Sequence, residues 1–228
     1  MKKRNNKLLI LTLAGIIFVV LLGIFMLNYS KDDSSFSILE KKWINDNSKN
    51  TMDVYVQASL PVFAYNGIGV YYDYLNALKE NTGLNLNIVT SDSASVKLVN
   101  KNTINTGDVL IYKDHFVVLG EKEDISKLSD LNYKTVGVLK EDIDTVKYYL
   151  TEHENITIKE FEDFSLLQNA LEGKTISYSI VPLYKYINEI ISSDINIVYH
   201  MDGLYSYYCL SFEEANNNLE SIFTKFYY

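Results

Sequence analysis

"PVFAYNGIGVYYDYLNALKENTGLNLNIV" occupies residues 61–89. It opens with an aromatic cluster, passes a Gly-containing turn and enters a segment with helical spacing. That spacing predicts a helix over 69–83, with Val70, Tyr74, Leu75 and Leu78 on its apolar face and Gly83 as its stop signal. "LNLNIV" (84–89) then alternates, as a strand does, and so does "TMDVYVQA" (51–58) just upstream. The unit is strand–helix–strand. Its aromatic turn is either the first wall of a binding cleft or an ordinary connection rich in Tyr, and periodicity alone does not choose between them.

Downstream the pattern is less even at first. Residues 91–107 are ambiguous and read as a short helix followed by a loop, while "DVLIY" (108–112) and "HFVVLG" (115–120) read as two strands. After Gly120 the rhythm becomes regular. Strands at 134–139, 156–161, 176–181 and 195–200 alternate with helices at 124–131, 141–153, 163–174 and 182–191. Pro182 is expected in the first turn of the last of these helices, where a missing N–H costs nothing. Strands alternating with helices imply βαβ units and a mostly parallel sheet, hence the α/β class. "LYSYYCLSF" (204–212) reads as a last strand, and 213–228 as a helix running to the chain end without a stop signal.

The N-terminus has a different character. Lys2, Lys3, Arg4 and Lys7 precede a run over 8–27 without a charge. As a helix, 20 residues at about 1.5 Å each span about 30 Å, the hydrocarbon thickness of a bilayer. The basic flank places the rest of the chain outside the cytoplasm. The run is long for a secretory signal, "FMLNYSKDD" offers no convincing cleavage site, and no Cys follows it for lipid attachment. An uncleaved signal anchor is therefore favoured over a cleaved leader. With the four N-terminal cations set aside, 17 of the 21 basic residues remain against 29 acidic ones, a charge of −12. That balance argues against nucleic acid or an anionic membrane face as partner. A single cysteine, Cys209, rules out an internal disulfide and a cysteine-based metal site.

The helix "ILEKKWINDN" (38–47), the "LPVFAY" turn (60–65), Gly69 with Asp73, and the 83–89 strand together resemble the opening of the extracytoplasmic solute-binding proteins of family 3. "HFVVLGEKEDISKLSDLNYKTVGVLKED" resembles that family's second-lobe entry, and "FSLLQNALEGKTISYSIVP" a unit further along it. The resemblance covers roughly 38–228, and the Trp-containing helix upstream is most similar to versions attached to membrane signalling proteins. It implies a two-lobed periplasmic-binding-protein type II fold preceded by one transmembrane helix. The implied organisation is a basic tip and signal anchor over 1–30, a linker and short helix over 31–50, and a solute-binding domain over 51–228. Lobe 1 would comprise about 51–112 and 204–228, and lobe 2 about 116–200. Phe63 and Tyr65 would stand at the carboxyl end of the first strand, where open α/β sheets place ligands, or pack beneath the following helix. The candidate ligand-binding residues are Phe63, Tyr65, Asn66, Tyr112, Asp142 and Tyr184.

The departures from the family pattern concern the ligand. Amino-acid binders hold a carboxylate with an arginine fork, yet the only arginine here is Arg4. Lys97, Lys101 or Lys113 are possible substitutes, with no spacing that selects one. Val181-Pro182 stands where an ammonium-binding Asp is common, and Glu141, Asp142 and Asp144 fill a first helical turn that usually receives an anion. There they either stabilise the helix dipole or face the cleft and repel anions. A neutral, cationic or aromatic solute, stacked between Tyr65 and Tyr184, fits better than a simple anion.

No catalytic residue, cofactor or metal site is expected. His115, His153 and His200 lack ligand spacing and read as surface or hinge residues, and Cys209 reads as a buried structural thiol. The first functional expectation is the ligand-sensing input of a transmembrane signalling protein. In it, the chain would continue into a second span and a cytoplasmic output domain. The alternatives are a receptor that hands its solute to a permease of an ABC-type transporter, the non-catalytic binding domain of an exported cell-wall enzyme, and a pure scaffold.

Overall fold

A computed structural model describes residues 36–121, 125–153, 155–212 and 217–227. The signal anchor expected at 8–27 lies outside them. Among the described residues no helix is long and apolar enough to cross a membrane. The chain divides into two compact units, Met1–Lys41 and Lys42–Tyr228. The described part of the first opens helix α1 (Ile38–Asn47) with a reciprocal cap: Ser37 N–H donates to the Glu40 carboxylate at 2.5 Å, and Glu40 N–H to Ser37 Oγ at 3.3 Å.

In the second unit, β1 (Thr51–Val56) pairs in parallel with both β2 (Asn85–Val89) and β3 (Val96–Lys101). Helix α2 (Val70–Thr82) makes the crossover from β1 to β2 and stops where expected. Gly83 takes the left-handed conformation at φ 70°, and its N–H donates to Lys79 O. The buried stripe of α2 is rotated from the one the spacing predicts: Tyr71, Leu75 and Leu78 are buried, while Val70 is 39% exposed. The connecting loop holds Val70 N–H on Val62 O and Tyr71 N–H on Phe63 O, both at 3.0 Å, which sets the rotation.

The ambiguous stretch at 91–107 contains strand β3, with Val96, Leu98 and Asn100 facing inward. The two strands expected at 108–112 and 115–120 are one, β4 (Val109–Gly120), and those at 195–200 and 204–212 are one 17-residue strand, β8 (Asn196–Phe212). Polar residues misled in both cases. Asp114 interrupts the apolar run of β4 because it accepts hydrogen bonds from a neighbouring turn. Gly203, at φ +86°, sits where β8 is irregular, with Tyr205 opposite His115 and His200 opposite Val117.

Strands β5 (Thr135–Leu139), β6 (Thr157–Phe161) and β7 (Tyr178–Pro182) complete one eight-stranded sheet of order β2-β1-β3-β8-β4-β7-β5-β6. It is mixed rather than mostly parallel, since β3/β8, β8/β4 and β4/β7 are all antiparallel. Phe116 and Val118 of β4 pack on one face with Val136, Val138, Val146 and Leu150. Val117 and Leu119 pack on the other with Leu139, Leu167, Leu171 and Ile190. Helix α3 (Ile143–Tyr149) thus covers one face, and α4 (Phe164–Glu172) and α5 (Ile187–Ser192) the other. Burial on both faces explains the unbroken "FVVLG" run. Pro182 closes β7 rather than opening a helix, and the helix expected at 141–153 has short 3-10 turns at both ends. Helix α6 (Asn217–Tyr227) returns to α2, where the Tyr74 hydroxyl donates to Phe223 O at 2.7 Å.

Gly69 is the tightest point of the 60s loop. Its φ is +123°, and a Cβ there would stand 2.6 Å from the carbonyl oxygens of both Val62 and Phe63. Gly69→Ala should therefore lower the unfolding free energy by about 3 kcal/mol, read from urea denaturation. Gly67→Ala, at φ +80° with nothing within 4 Å, should cost about 1 kcal/mol. Similar small losses at both positions would mean that the loop relaxes around the added methyl.

Candidate ligand-binding site

The loop after β1 is closed by two tight turns. Leu60 and Ala64 exchange backbone hydrogen bonds, as do Tyr65 and Ile68. Its carbonyls occupy the first N–H groups of α2, donors that a helix start would otherwise offer to an anion. The loop turns Phe63 inward, 6% exposed, and leaves Tyr65, 45% exposed, and Asn66 on its outer turn. Phe63 stacks on Tyr208 of β8 with centroids 3.9 Å apart, meets Tyr71 edge-on at 5.4 Å and lies 5.7 Å from Tyr112 of β4. Tyr112 in turn meets Tyr184, just after β7, at 5.4 Å and 90°. Three of the six sequence-derived residues, Phe63, Tyr112 and Tyr184, are thus joined in one aromatic chain with Tyr208 as its missing link.

Beneath the rings lies a polar floor. Directly opposed residues of antiparallel strands share a face, and Asn100 is opposed to Tyr208, Tyr112 to Tyr208, and Asp114 to Ser206. Asn100 Nδ2 donates to Ser206 Oγ at 3.0 Å, while Asn100 Oδ1 and the Tyr208 hydroxyl are buried with no hydrogen-bond partner among the described residues. Asp114, fully buried, accepts the Tyr184 N–H on both oxygens at 2.9 and 3.0 Å and the Lys185 N–H at 3.1 Å. It thereby positions Tyr184. Burial pushes its carboxyl up to about 6, against the pull of these N–H groups and of Lys185.

Asp142 ends the 3-10 turn Lys140–Asp142 before α3 and is also fully buried. Its Oδ1 accepts from Asn102 Nδ2 at 2.7 Å, and the same amide donates to Glu141 O at 2.8 Å. This clasp joins the strand end after β3 to the helix start after β5. The other oxygen, Oδ2, has no partner among the described residues. Burial pushes Asp142 up to about 6, with Lys185 and Asn102 acting in the opposite direction. Beside it, Glu141 bridges Lys185 Nζ at 2.9 Å and the Tyr186 hydroxyl at 2.7 Å. Burial raises the Glu141 carboxyl, and the Lys185 charge and these bonds more than offset it, so the net shift is downward. Of the three first-turn acids, Asp142 alone is buried, while Glu141 and Asp144 are exposed.

The lysines named as arginine substitutes serve other ends where their contacts are seen. Lys101 pairs with Asp108 at 2.6 Å, and Lys113 stands 5.6 Å above the Tyr205 ring. Lys185, which the sequence did not single out, is the cation of the site, facing Glu141, Asp142 and Asp114. Asn100, Asn102, Asp114, Ser206 and Tyr208 were also missed. For all but Asn102, which lies just past the end of β3, the only sequence signal is alternation along strands whose partners were unknown.

Two further groups sit elsewhere on β4 and β8. Cys209 is fully buried, and burial pushes its thiol up to about 12, as suits a structural residue. His115 Nε2 and His200 Nδ1 lie 2.9 Å apart across the two strands, a contact hidden by a sequence separation of 85. Among the described residues no group of three or more His, Cys, Asp or Glu could hold a metal ion.

No protein-family profile matches the chain, and no curated protein matches it. Solved structures do. The substrate-binding protein of an amino acid ABC transporter superimposes with a TM-score of 0.59 at 18% identity, covering 78% of this chain and 92% of the other. The periplasmic VFT2 domain of Bordetella pertussis BvgS gives 0.61 at 14%, covering 84% and 92%. The amino acid ABC transporter substrate-binding protein AbpA of Streptococcus pneumoniae, bound to L-arginine, gives 0.59 at 15%, covering 82% and 90%. The protein therefore has the α/β fold of type II periplasmic-binding domains, the fold shared by transporter binding proteins and periplasmic sensor domains.

Asp142 makes stability depend on pH. Its folded pKa of about 6 exceeds the ordinary value of about 3.9, so the folded chain holds a proton that the unfolded chain has lost. The stabilisation is present below about pH 4 and is lost as pH rises through about 6. Asp142→Asn, which keeps the acceptor for Asn102, should flatten this slope and raise stability at pH 7 by about 1–3 kcal/mol. Denaturation curves between about pH 4 and 7 measure it. Lower stability of the variant at neutral pH would mean that the charged form is wanted.

Proposed function

We propose that this protein is a membrane-anchored extracytoplasmic solute-binding domain that acts as the ligand-sensing input of a transmembrane signalling protein. The observation that carries the proposal is the aromatic chain Phe63–Tyr208–Tyr112–Tyr184, which lies over a buried polar floor where β4 and β8 cross between the two ends of the sheet. The strands on either side of that crossing are read as two lobes, about 51–112 with 204–228 and about 116–200, which close on a solute held between them. The fold shared with periplasmic sensor domains supports a sensing role. The basic-flanked apolar run at 8–27 supports the anchor and the extracytoplasmic placement. Binding without catalysis accords with a site of rings, amides and buried carboxylates.

Phe63, Tyr112, Asp142 and Tyr184 are assigned to the solute, with Tyr65 and Asn66 on the outer turn guarding its entry. The unsatisfied acceptors, Asp142 Oδ2 and Asn100 Oδ1, favour a ligand that donates hydrogen bonds and carries positive charge, such as a primary amine. A transporter receptor is the second reading. It draws on the fold shared with ABC transporter binding proteins, and it would require a permease partner.

The proposal is tested by thermal unfolding of the full chain in detergent with a panel of amines, amino acids and short peptides. A ligand at about 100 times its Kd should stabilise the domain by about 2.7 kcal/mol. Tyr112→Ala should abolish that shift while the domain stays folded. A folded protein that responds to none of these classes would overturn the binding role.

A further inference from the structure

Strand β8 has a second decorated face. Ser206 and Tyr208 belong to the polar floor, so Tyr205 and Tyr207 point to the opposite side of the strand. There they line a groove of about 520 Å³ with Tyr148 and Tyr149 of α3, Thr145 and Asn102. That volume suits a small organic ligand. Every residue lining the groove is uncharged, and its chemistry is four aromatic rings with a few hydroxyls and one amide.

We propose that this groove is a second binding site, distinct from the solute site above, and that it takes a methylated ammonium group. Tyrosine faces attract cations through the ring quadrupole, and a quaternary ammonium gains most because it sheds water cheaply and has no N–H to satisfy. Such a group would be poorly served at the Asp142 site, where the orphaned acceptors need donors. Lys113 Nζ already stands 5.6 Å from the Tyr205 ring, and Lys113 is opposed to Tyr207 across the ladder, so this end of the groove carries its own cation and the ammonium is assigned to the Tyr148 and Tyr149 end. Tyr148 is 86% exposed, a bare aromatic surface at the groove. Tyr149 is held in place by its hydroxyl, which donates to the Asp202 carbonyl. The Asp202 carboxylate adds negative charge beside that ring and helps to raise the Tyr149 hydroxyl above its usual range, after burial as the larger cause. A net charge of −8 over the whole chain favours a cation further.

Calorimetric titration of the full chain in a polyoxyethylene detergent with choline tests the site. Choline should bind, and 3,3-dimethyl-1-butanol, its uncharged isostere, should bind at least about tenfold more weakly. Tyr148→Ala should weaken choline about tenfold and leave any amine-induced thermal shift intact, while Tyr133→Ala, on an exposed residue away from the groove, should change nothing. Glycerophosphocholine run in parallel identifies the source, since tighter binding than choline points to a lipid headgroup and weaker binding to a free solute. Equal affinity for choline and its isostere would overturn the proposal. So would a Tyr148-dependent response to maltotriose with none to choline, or the absence of any response to choline.

Discussion

Strands β4 and β8 pair antiparallel from Val109 opposite Leu210 to Gly120 opposite Asn196, and every other strand attaches to this ladder directly or through its neighbours. β3, with β1 and β2 beyond it, hangs from one edge of the ladder, and β7, with β5 and β6 beyond it, from the other. The ladder runs through both ends of the sheet but shifts register at Leu110/Tyr112, His115/Val117 and Val118/Leu119, irregularities that allow local bending. The rings that meet over the crossing belong to four segments far apart in sequence, and only this pairing brings them together.

The interior of that crossing is costly. Two carboxylates, Asp114 and Asp142, are fully buried, and so are the unpartnered Asn100 Oδ1 and Tyr208 hydroxyl. Buried polar groups are normally satisfied, so each orphaned atom calls for an explanation, as do Asn132 Oδ1 and Ser179 Oγ elsewhere. Asp114 can be explained locally, since it caps the turn that carries Tyr184 and Lys185. Asp142 cannot, because Asn102 satisfies only one of its oxygens. Asn102 also lines the tyrosine groove. A single amide therefore both contacts Asp142 and lines the groove.

Much of the framework was legible in the residues. The α2 helix with its Gly83 stop, the strands of the β5–β7 end and the α/β class follow from periodicity and turn chemistry. Several errors were of one kind. Lys113-Asp114 and Met201-Asp202-Gly203 look like turns, and each lies inside a long strand. A buried Asp reads as a turn residue unless its partner is known, and the N–H groups it accepts come from positions 184 and 185. Pro182 likewise looks like a helix opener but ends a strand paired with Phe116. In the site, an aromatic after the first strand could be anticipated at Phe63, but Tyr208 was one tyrosine among 19.

By itself the sequence determined most of the helices and the strands of the β5–β7 end, the acidic balance, the basic-flanked apolar run and the likeness to solute-binding domains, because each of these rests on local composition or on spacing within one segment. The tertiary structure alone decided the mixed strand order, the fusion of four expected strands into two, the opposition of Asn100, Tyr112 and Tyr208, the Asn102–Asp142 clasp and the histidine contact. These depend on strand register, and a shift of one residue would send every side chain of a strand to its other face. Register is set by what lies across the ladder, and no segment carries that information alone.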